Sequence, residues 1–206
     1  MAATPASVRG IVLFPGSGSS ADHPSLLAIE RALSGVAVRR CDFPYRKAGK
    51  RFPDRGDVLV GCVRDEVASL ADELGCDPSG IVIGGRSMGG RMCTLAAAGF
   101  SGARHETAPT TAPLDVAGVV ALAYPLHPPG KPDVLRVAHF AHLTSPVLFV
   151  SGTRDEFGSP AEFAPWMRRI PAAVEHRWID GARHDLRNHD DAVAQLCATW
   201  VGRLSH

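Results

Sequence analysis

At 206 residues and 21.8 kDa, the chain is long enough to bury one substantial hydrophobic core. With 22 Lys and Arg against 21 Asp and Glu the formal charge is +1, which argues against a nucleic-acid surface or an acidic tail as the main role. A hydrophobic share of 45% is too apolar for disorder, and the longest apolar stretch, around residues 116–124, falls far short of the roughly 20 residues a membrane span needs.

The opening stretch MAATPASVRGIVLFPG lacks a basic start and has only Ile11–Phe14 as an apolar run, so no secretory signal is expected and a cytoplasmic protein is. Five cysteines, at 41, 62, 76, 93 and 197, form no CxxC pair and read as reduced thiols, neither a disulfide framework nor a zinc knuckle.

Along the chain, short β-rich runs alternate with longer helical patterns, the signature of a parallel sheet covered by helices. Strands are expected at Gly10–Phe14, Val36–Cys41, Ile81–Gly84, Val116–Leu122, Pro146–Ser151 and Val174–Ile179. Several are nearly continuous in Val, Ile and Leu, as strands buried on both faces are. Helices are expected at Pro24–Leu33, Asp57–Leu74, Ser87–Ala98, Pro160–Arg169 and Asp191–Leu204, with a weaker pattern at Val134–Ala141. Pro24 suits a first helical turn behind the capping pair Asp22-His23, and Gly75 suits a helix end. Residues 101–113, rich in Ala, Thr and Pro, read as a surface loop. These elements fill all 206 residues as a single domain and leave no span for a separate cap.

The chemically informative stretch is Ile81-Val-Ile-Gly-Gly-Arg-Ser-Met-Gly-Gly-Arg91. It holds G-x-S-x-G as Gly85-Arg86-Ser87-Met88-Gly89, between an expected strand and an expected helix. In that context the motif describes a strained corner that exposes a serine hydroxyl, with small neighbours so that strand and helix backbones can pass closely. A serine hydroxyl is a weak nucleophile near neutral pH and requires a base with an orienting acid, which follow such a serine in the order Asp/Glu, then His. The fifth strand runs into Gly152-Thr-Arg-Asp155 and the sixth into Asp180-Gly-Ala-Arg-His184, so both loops emerge on the face that carries Ser87. Glu156 competes with Asp155, and His189 with His184, but His189 falls where the last helix starts. The backbone N–H groups of Met88 and Ser17 are the oxyanion donors expected, the second from the Gly-rich loop Phe14-Pro-Gly-Ser-Gly-Ser19.

These motifs, with YPLHPPGKP at 124–132 and PVLFVSGTRDEFG at 146–158, resemble the small lidless α/β-hydrolases. That group includes the testis-expressed and chromatin-complex-subunit hydrolase-like proteins and bacterial dienelactone-hydrolase-like proteins. The resemblance covers nearly the whole chain and implies an α/β-hydrolase fold, with a mostly parallel sheet of six to seven strands and helices on both faces. It also implies Ser87, Asp155 and His184 as a catalytic triad. The sequence departs from the group in having Pro15-Gly16 where hydrolases often have His-Gly, and Ser87 where dienelactone hydrolases proper have cysteine.

The reaction expected is hydrolysis of a carboxylic ester or related acyl bond, with a small-molecule acyl substrate and no cofactor, metal, nucleic-acid or membrane partner. A hydrolase-shaped scaffold without catalysis is the alternative. Gly16, Arg86, Tyr124 and His127 are expected to line the substrate pocket. A third reading comes from Gly16-Ser-Gly-Ser-Ser-Ala21, which matches a dinucleotide fingerprint with Asp42 as its ribose acid. That motif requires a helix opening near its second glycine, whereas Pro24 sets a later start. The basic stretch Arg39, Arg40, Arg46, Lys47, Lys50 and Arg51 rims the same face and reads either as an attractor of anionic substrates or as a solvated charged loop. His139 and His142, at i,i+3, read as helix-surface histidines, since no third metal ligand sits at a suitable offset.

Overall fold

A computed structural model describes residues 7–103 and 105–204. Residues 1–6 of the opening stretch and Arg104 of the surface loop lie outside the described residues. The strands are β1 Gly10–Phe14, β2 Ala37–Arg40, β3 Ile81–Arg86, β4 Gly118–Leu122, β5 Val147–Gly152 and β6 Val174–Ile179. The helices are α1 Pro24–Ala32, α2 Pro44–Lys47, α3 Gly56–Leu74, α4 Met88–Ala97, α5 Pro160–Met167 and α6 Asp190–Leu204. Among the described residues no helix is long and apolar enough to cross a membrane, and no segment forms a cap separate from the sheet and its helices.

All six strands run parallel in the order β2-β1-β3-β4-β5-β6. The chain steps from β1 outward to β2, then returns to place β3 on the other side of β1. Such a reversal opens a crevice beyond the carboxyl ends of the two strands, where ligands bind in open α/β sheets. Register brings Phe14 level with Gly85, so the loop after β1 meets the corner after β3.

Alternation along the strands builds two cores. Val12, Phe14, Ile83, Val119 and Phe149 face α3, α4 and α5, while Ile11, Leu13, Val82, Val120 and Val150 face α1 and α6. Cys41, Cys62, Cys93 and Cys197 are buried as free thiols within them, and Cys76 is half-buried. α1 opens at Pro24 with His23 as its cap, the His23 ring accepting from the Ser25 N–H. Gly75 closes α3 in the left-handed region at φ 60°.

Two local expectations fail. Residues 134–141 form no helix; only a short 3₁₀ turn, Phe140–His142, appears. Val134 and Leu135 are 53% and 39% exposed while Phe140 is buried in the core, so only the end of the segment packs and the apolar residues do not share one helical face. His139 is correspondingly buried, not on a helix surface, and His142 alone of that pair is exposed. The Thr94 hydroxyl donates to the Arg91 carbonyl (2.8 Å). His139 Nε2, 2.9 Å from Thr94 Oγ1, is therefore the donor in that contact.

Burial, reinforced by the charge of Arg91, pushes His139 down from 6.5 to about 3. Burial likewise holds His176 at about 3. The folded protein thus keeps both rings neutral where the unfolded chain protonates them. Stability should fall as pH drops from 6.5 toward 3, by up to about 1.4 kcal/mol per pH unit for each ring. Urea denaturation of His139→Gln between pH 7 and 4 should show a shallower loss than the wild type. Parallel curves would show that this ring does not carry the effect.

Candidate active site

Ser87 sits at the corner between β3 and α4 with φ 47° and ψ −111°, a conformation that L-residues rarely adopt. Its N–H donates to the Leu122 carbonyl (2.7 Å), and its own carbonyl accepts from Arg91 N–H (3.0 Å), fastening the corner to β4 and to α4. The flanking glycines are required by backbone crowding. A Cβ at Gly85 would collide with the Phe14 carbonyl, and one at Gly89 would lie 2.7 Å from the Pro15 carbonyl. Strand, helix and the loop after β1 therefore interlock, and the Ser87 hydroxyl projects into the crevice at the reversal point.

The imidazole and carboxylate arrive from the other half of the sheet. β5 and β6 pair so that Gly152 is level with Ile179. A Cβ at Gly152 would collide with the Ala182 carbonyl, and Arg154 N–H donates to that same carbonyl (2.9 Å). The loop carrying Asp155 is thereby laid against the loop carrying His184. His184 Nδ1 lies 3.0 Å from each Asp155 carboxylate oxygen, and Nε2 lies 2.9 Å from Ser87 Oγ. The Asp155 carboxylate is buried and also accepts the Phe157 N–H (2.8 Å). Phe157 then stacks on the imidazole, with ring centroids 3.8 Å apart. With Nδ1–H donated to the carboxylate, Nε2 is the acceptor for the serine hydroxyl. The rivals lie elsewhere: Glu156 faces Arg183 at 3.8 Å, and the His189 carbonyl accepts from Val193 at the start of α6.

Opposite this chain of contacts lies the loop after β1. Gly16 is so close that an added Cβ would stand 3.6 Å from that of Ser87. The Tyr45 hydroxyl donates to the Ser17 carbonyl (2.7 Å), fixing the peptide that follows. The first N–H groups of a helix have no intrahelical acceptor, which leaves that of Met88 free at the start of α4.

A cavity of about 500 Å³ opens over Ser87, with Gly16, Ser17, Arg86 and His184 in its wall. Arg86 is buried; its Nη2 donates to the His184 carbonyl (3.2 Å), and its Nη1 lies 2.8 Å from His23 Nε2. Burial and then the Arg86 charge lower the pKa of His23, which is also in the wall.

Tyr124 and His127 do not line the cavity. Tyr124 is fully buried, and its hydroxyl donates to the Arg136 carbonyl (2.6 Å). His127 is buried with Nε2 3.2 Å from Glu162 and its Nδ1–H donating to the Pro128 carbonyl (2.9 Å). Both chains turn inward because the loop after β4 folds over them, and the wall is made instead by Pro125 and Arg136.

Most of the basic stretch is paired with carboxylates, though among the described residues Arg46 and Arg51 have no ion-pair partner. Arg39 pairs with Glu66 and Glu73, Arg40 with Asp22 and Glu30, and Lys47 with Glu66. These pairs favour the charged-loop reading for Arg39, Arg40 and Lys47. The dinucleotide reading fails on geometry: Asp42 accepts the Ala21 N–H (2.9 Å) as part of the loop, and the helix opens only at Pro24.

Among the wall residues, Arg91, Arg136 and Phe157 were not singled out as pocket residues from sequence. Arg91 stands one helical turn beyond Ser87, a spacing that signals a shared face. Arg136 and Phe157 leave no such local mark.

The pattern of the alpha/beta hydrolase domain matches residues 8–200. The chain belongs to that family. Its fold resembles the dienelactone hydrolase of Anabaena variabilis at 24% identity, covering 95% of this chain and 87% of that one, with a TM-score of 0.66. It resembles an alpha-beta serine hydrolase homologue from Coxiella burnetii at 17% identity, covering 96% and 86%, with a TM-score of 0.69. It also resembles Est1E from Butyrivibrio proteoclasticus at 16% identity, covering 98% and 90%, with a TM-score of 0.71. At these identities the likeness is one of fold.

Because Gly152 sets the spacing of the two loops, Gly152→Ala should lower stability by about 1–3 kcal/mol, as overpacking does. It should also shift the proton NMR resonance of His184 Nδ1–H. An unchanged resonance and an unchanged denaturation curve would mean that the loops do not depend on this contact.

Proposed function

We propose that this family member is a serine hydrolase that cleaves a small carboxylic ester, or a related acyl bond, through an acyl-serine intermediate. The observation that carries the reading is the continuous chain Ser87–His184–Asp155, at 2.9 and 3.0 Å, assembled from three separate loops. Solved esterases and serine hydrolases of the same fold support it.

In this reading His184 Nε2 takes the proton of Ser87 Oγ as the hydroxyl attacks the acyl carbon. Asp155 holds the tautomer with the proton on Nδ1 and stabilises the imidazolium that forms. The N–H groups of Met88 and Ser17 hold the tetrahedral oxyanion, and the positive end of α4 points the same way. Collapse expels the alcohol, which takes the proton back from Nε2. Water then repeats the sequence on the acyl-serine and releases the acid. No cofactor takes part in these steps. The strained backbone of Ser87 keeps its hydroxyl in the crevice without any rearrangement on binding. With no cap over it, the cavity suits short acyl groups better than long lipid chains.

A fluorophosphonate probe should label the wild type at Ser87 and leave folded Ser87→Ala unlabelled. Asp155→Asn should keep the fold yet lower kcat on a short nitrophenyl ester by roughly 10⁴-fold, the order seen when a triad acid loses its charge. A folded wild type that resists the probe would instead favour a non-catalytic scaffold.

A further inference from the structure

Among the described residues, the wall of the cavity over Ser87 contains three arginines, Arg86, Arg91 and Arg136, and no aspartate or glutamate. Arg86 is offset from behind by the charges of Asp190, Asp185 and Asp155. The other two lie against the Tyr124 phenol, which accepts a hydrogen bond from the Arg91 side chain but is not a carboxylate. Among the described residues neither Arg91 nor Arg136 has a carboxylate within ion-pair distance. Arg91 Nε is buried without a hydrogen-bond partner. Burial and the neighbouring charge of Arg91 both lower the pKa of Arg136, a sign of two like charges held close in a partly dry wall.

Both side chains are held on rigid supports. Arg91 is on α4, one turn after the nucleophile, with its N–H donating to the Ser87 carbonyl. Arg136 is pinned on both sides: its N–H donates to the Leu126 carbonyl (2.9 Å) and its carbonyl accepts the Tyr124 hydroxyl. Two half-buried guanidiniums without a counter-ion are costly unless an anion joins them. A guanidinium fork matches a carboxylate with two parallel hydrogen bonds.

Position fixes which part of a substrate they meet. Arg91 and Arg136 also border a second cavity of about 580 Å³, walled by Leu59, Met92, Leu95 and Phe100, which His184 does not line. The leaving group departs toward His184, which returns its proton, and the second cavity, away from His184 and reached past the two arginines, is left for the acyl portion. Asp54 and Glu106 lie in the wall of that second cavity and repel an anion pushed deeper. The anion is thus confined to the partition between the two cavities.

We infer that Arg91 and Arg136 together bind a carboxylate on the acyl portion of the substrate, so that the preferred ester is the half-ester of a short dicarboxylic acid. This deepens the acyl-serine reading and rests on it for the chemistry, though not for the binding.

Two measurements test it. The first compares kcat/KM for the 4-nitrophenyl half-ester of glutarate with that for 4-nitrophenyl butyrate. The wild type should prefer the half-ester by about 10- to 100-fold, the span of a charged hydrogen-bonded pair. That preference should shrink at least tenfold, mainly through KM, in Arg91→Gln and in Arg136→Gln, and Arg136→Lys should keep part of it. The second is calorimetric titration of glutarate, with inorganic phosphate as comparator, into Ser87→Ala and into the folded double variant Arg91→Gln/Arg136→Gln. Glutarate should bind the former and not the latter. Equal turnover of the two esters by the wild type, glutarate binding that survives in the double variant, or phosphate binding as tight as glutarate would each overturn the assignment. If neither ester is hydrolysed but glutarate binds through the arginines, the acyl-serine reading falls and the carboxylate site stands.

Discussion

Backbone crowding where three segments meet is the constraint on which the rest of the molecule depends. The Phe14 carbonyl at the end of β1 lies so close to Gly85 and Gly89 that neither tolerates a side chain. That proximity ties the loop after β1 to the corner after β3 and drives Ser87 into a left-handed conformation that only a firmly held corner sustains. The strain is offset by ordinary strand and helix bonds on either side, through the Leu122 carbonyl and Arg91 N–H. Cost and compensation are both local, so the hydroxyl is presented by the fold itself, before any ligand arrives.

The imidazole and the carboxylate obey a second constraint of the same kind, farther along the sheet. Gly152 lets the backbone after β5 touch the backbone after β6, and this contact sets the distance from Asp155 to His184. A buried carboxylate is tolerable only when its oxygens are occupied. Here the imidazole and the Phe157 N–H occupy them, and the Phe157 ring then covers the face of the imidazole. One short segment thus supplies the carboxylate, satisfies it and orients the imidazole, which explains why Asp155 and not the adjacent Glu156 meets His184. Glu156 points to solvent, where Arg183 is near.

Much of this was legible in the sequence because it is written in local patterns. Parallel strands buried on both faces read as runs of Val, Ile and Leu; β1 and β6 match their expected limits, and the other strands shift by only one or two residues. The elbow is a five-residue motif, and the chain order of serine, acid and histidine needs no tertiary knowledge. What escaped is whatever depends on partners distant in the chain. The basic stretch at 39–51 looks alike whether it faces a ligand or glutamates on α3, and only the fold supplies Glu66 and Glu73. Tyr124 follows β4 on the face that carries Ser87 and so reads as a pocket residue. Its ring instead fills the core among Phe140, Phe149 and Phe163. The pattern at 134–141 has helical spacing, but only its last residues meet the core while Val134 and Leu135 face solvent, so tertiary packing overrode it.

The core position of Tyr124 shows how the fold divides its labour. The side chains of Ser87, Asp155 and His184 stand beyond the ends of β3, β5 and β6, where sheet register and glycine contacts leave little freedom. The wall that decides what enters comes from α4 and from the long connection between β4 and β5, which is free of the sheet's register. Such a connection places a side chain accurately only if something rigid holds its backbone. Tyr124 does so: its hydroxyl reaches from the core to the Arg136 carbonyl, while the Leu126 carbonyl accepts from the Arg136 N–H. Burying a phenol without a partner is costly, and the Arg136 carbonyl at 2.6 Å is a closer partner for the tyrosine than the His139 ring at 3.5 Å, so the phenol favours the loop path that brings Arg136 to the cavity. The core thereby selects the loop conformation, and the charge of the pocket follows from the packing beneath it.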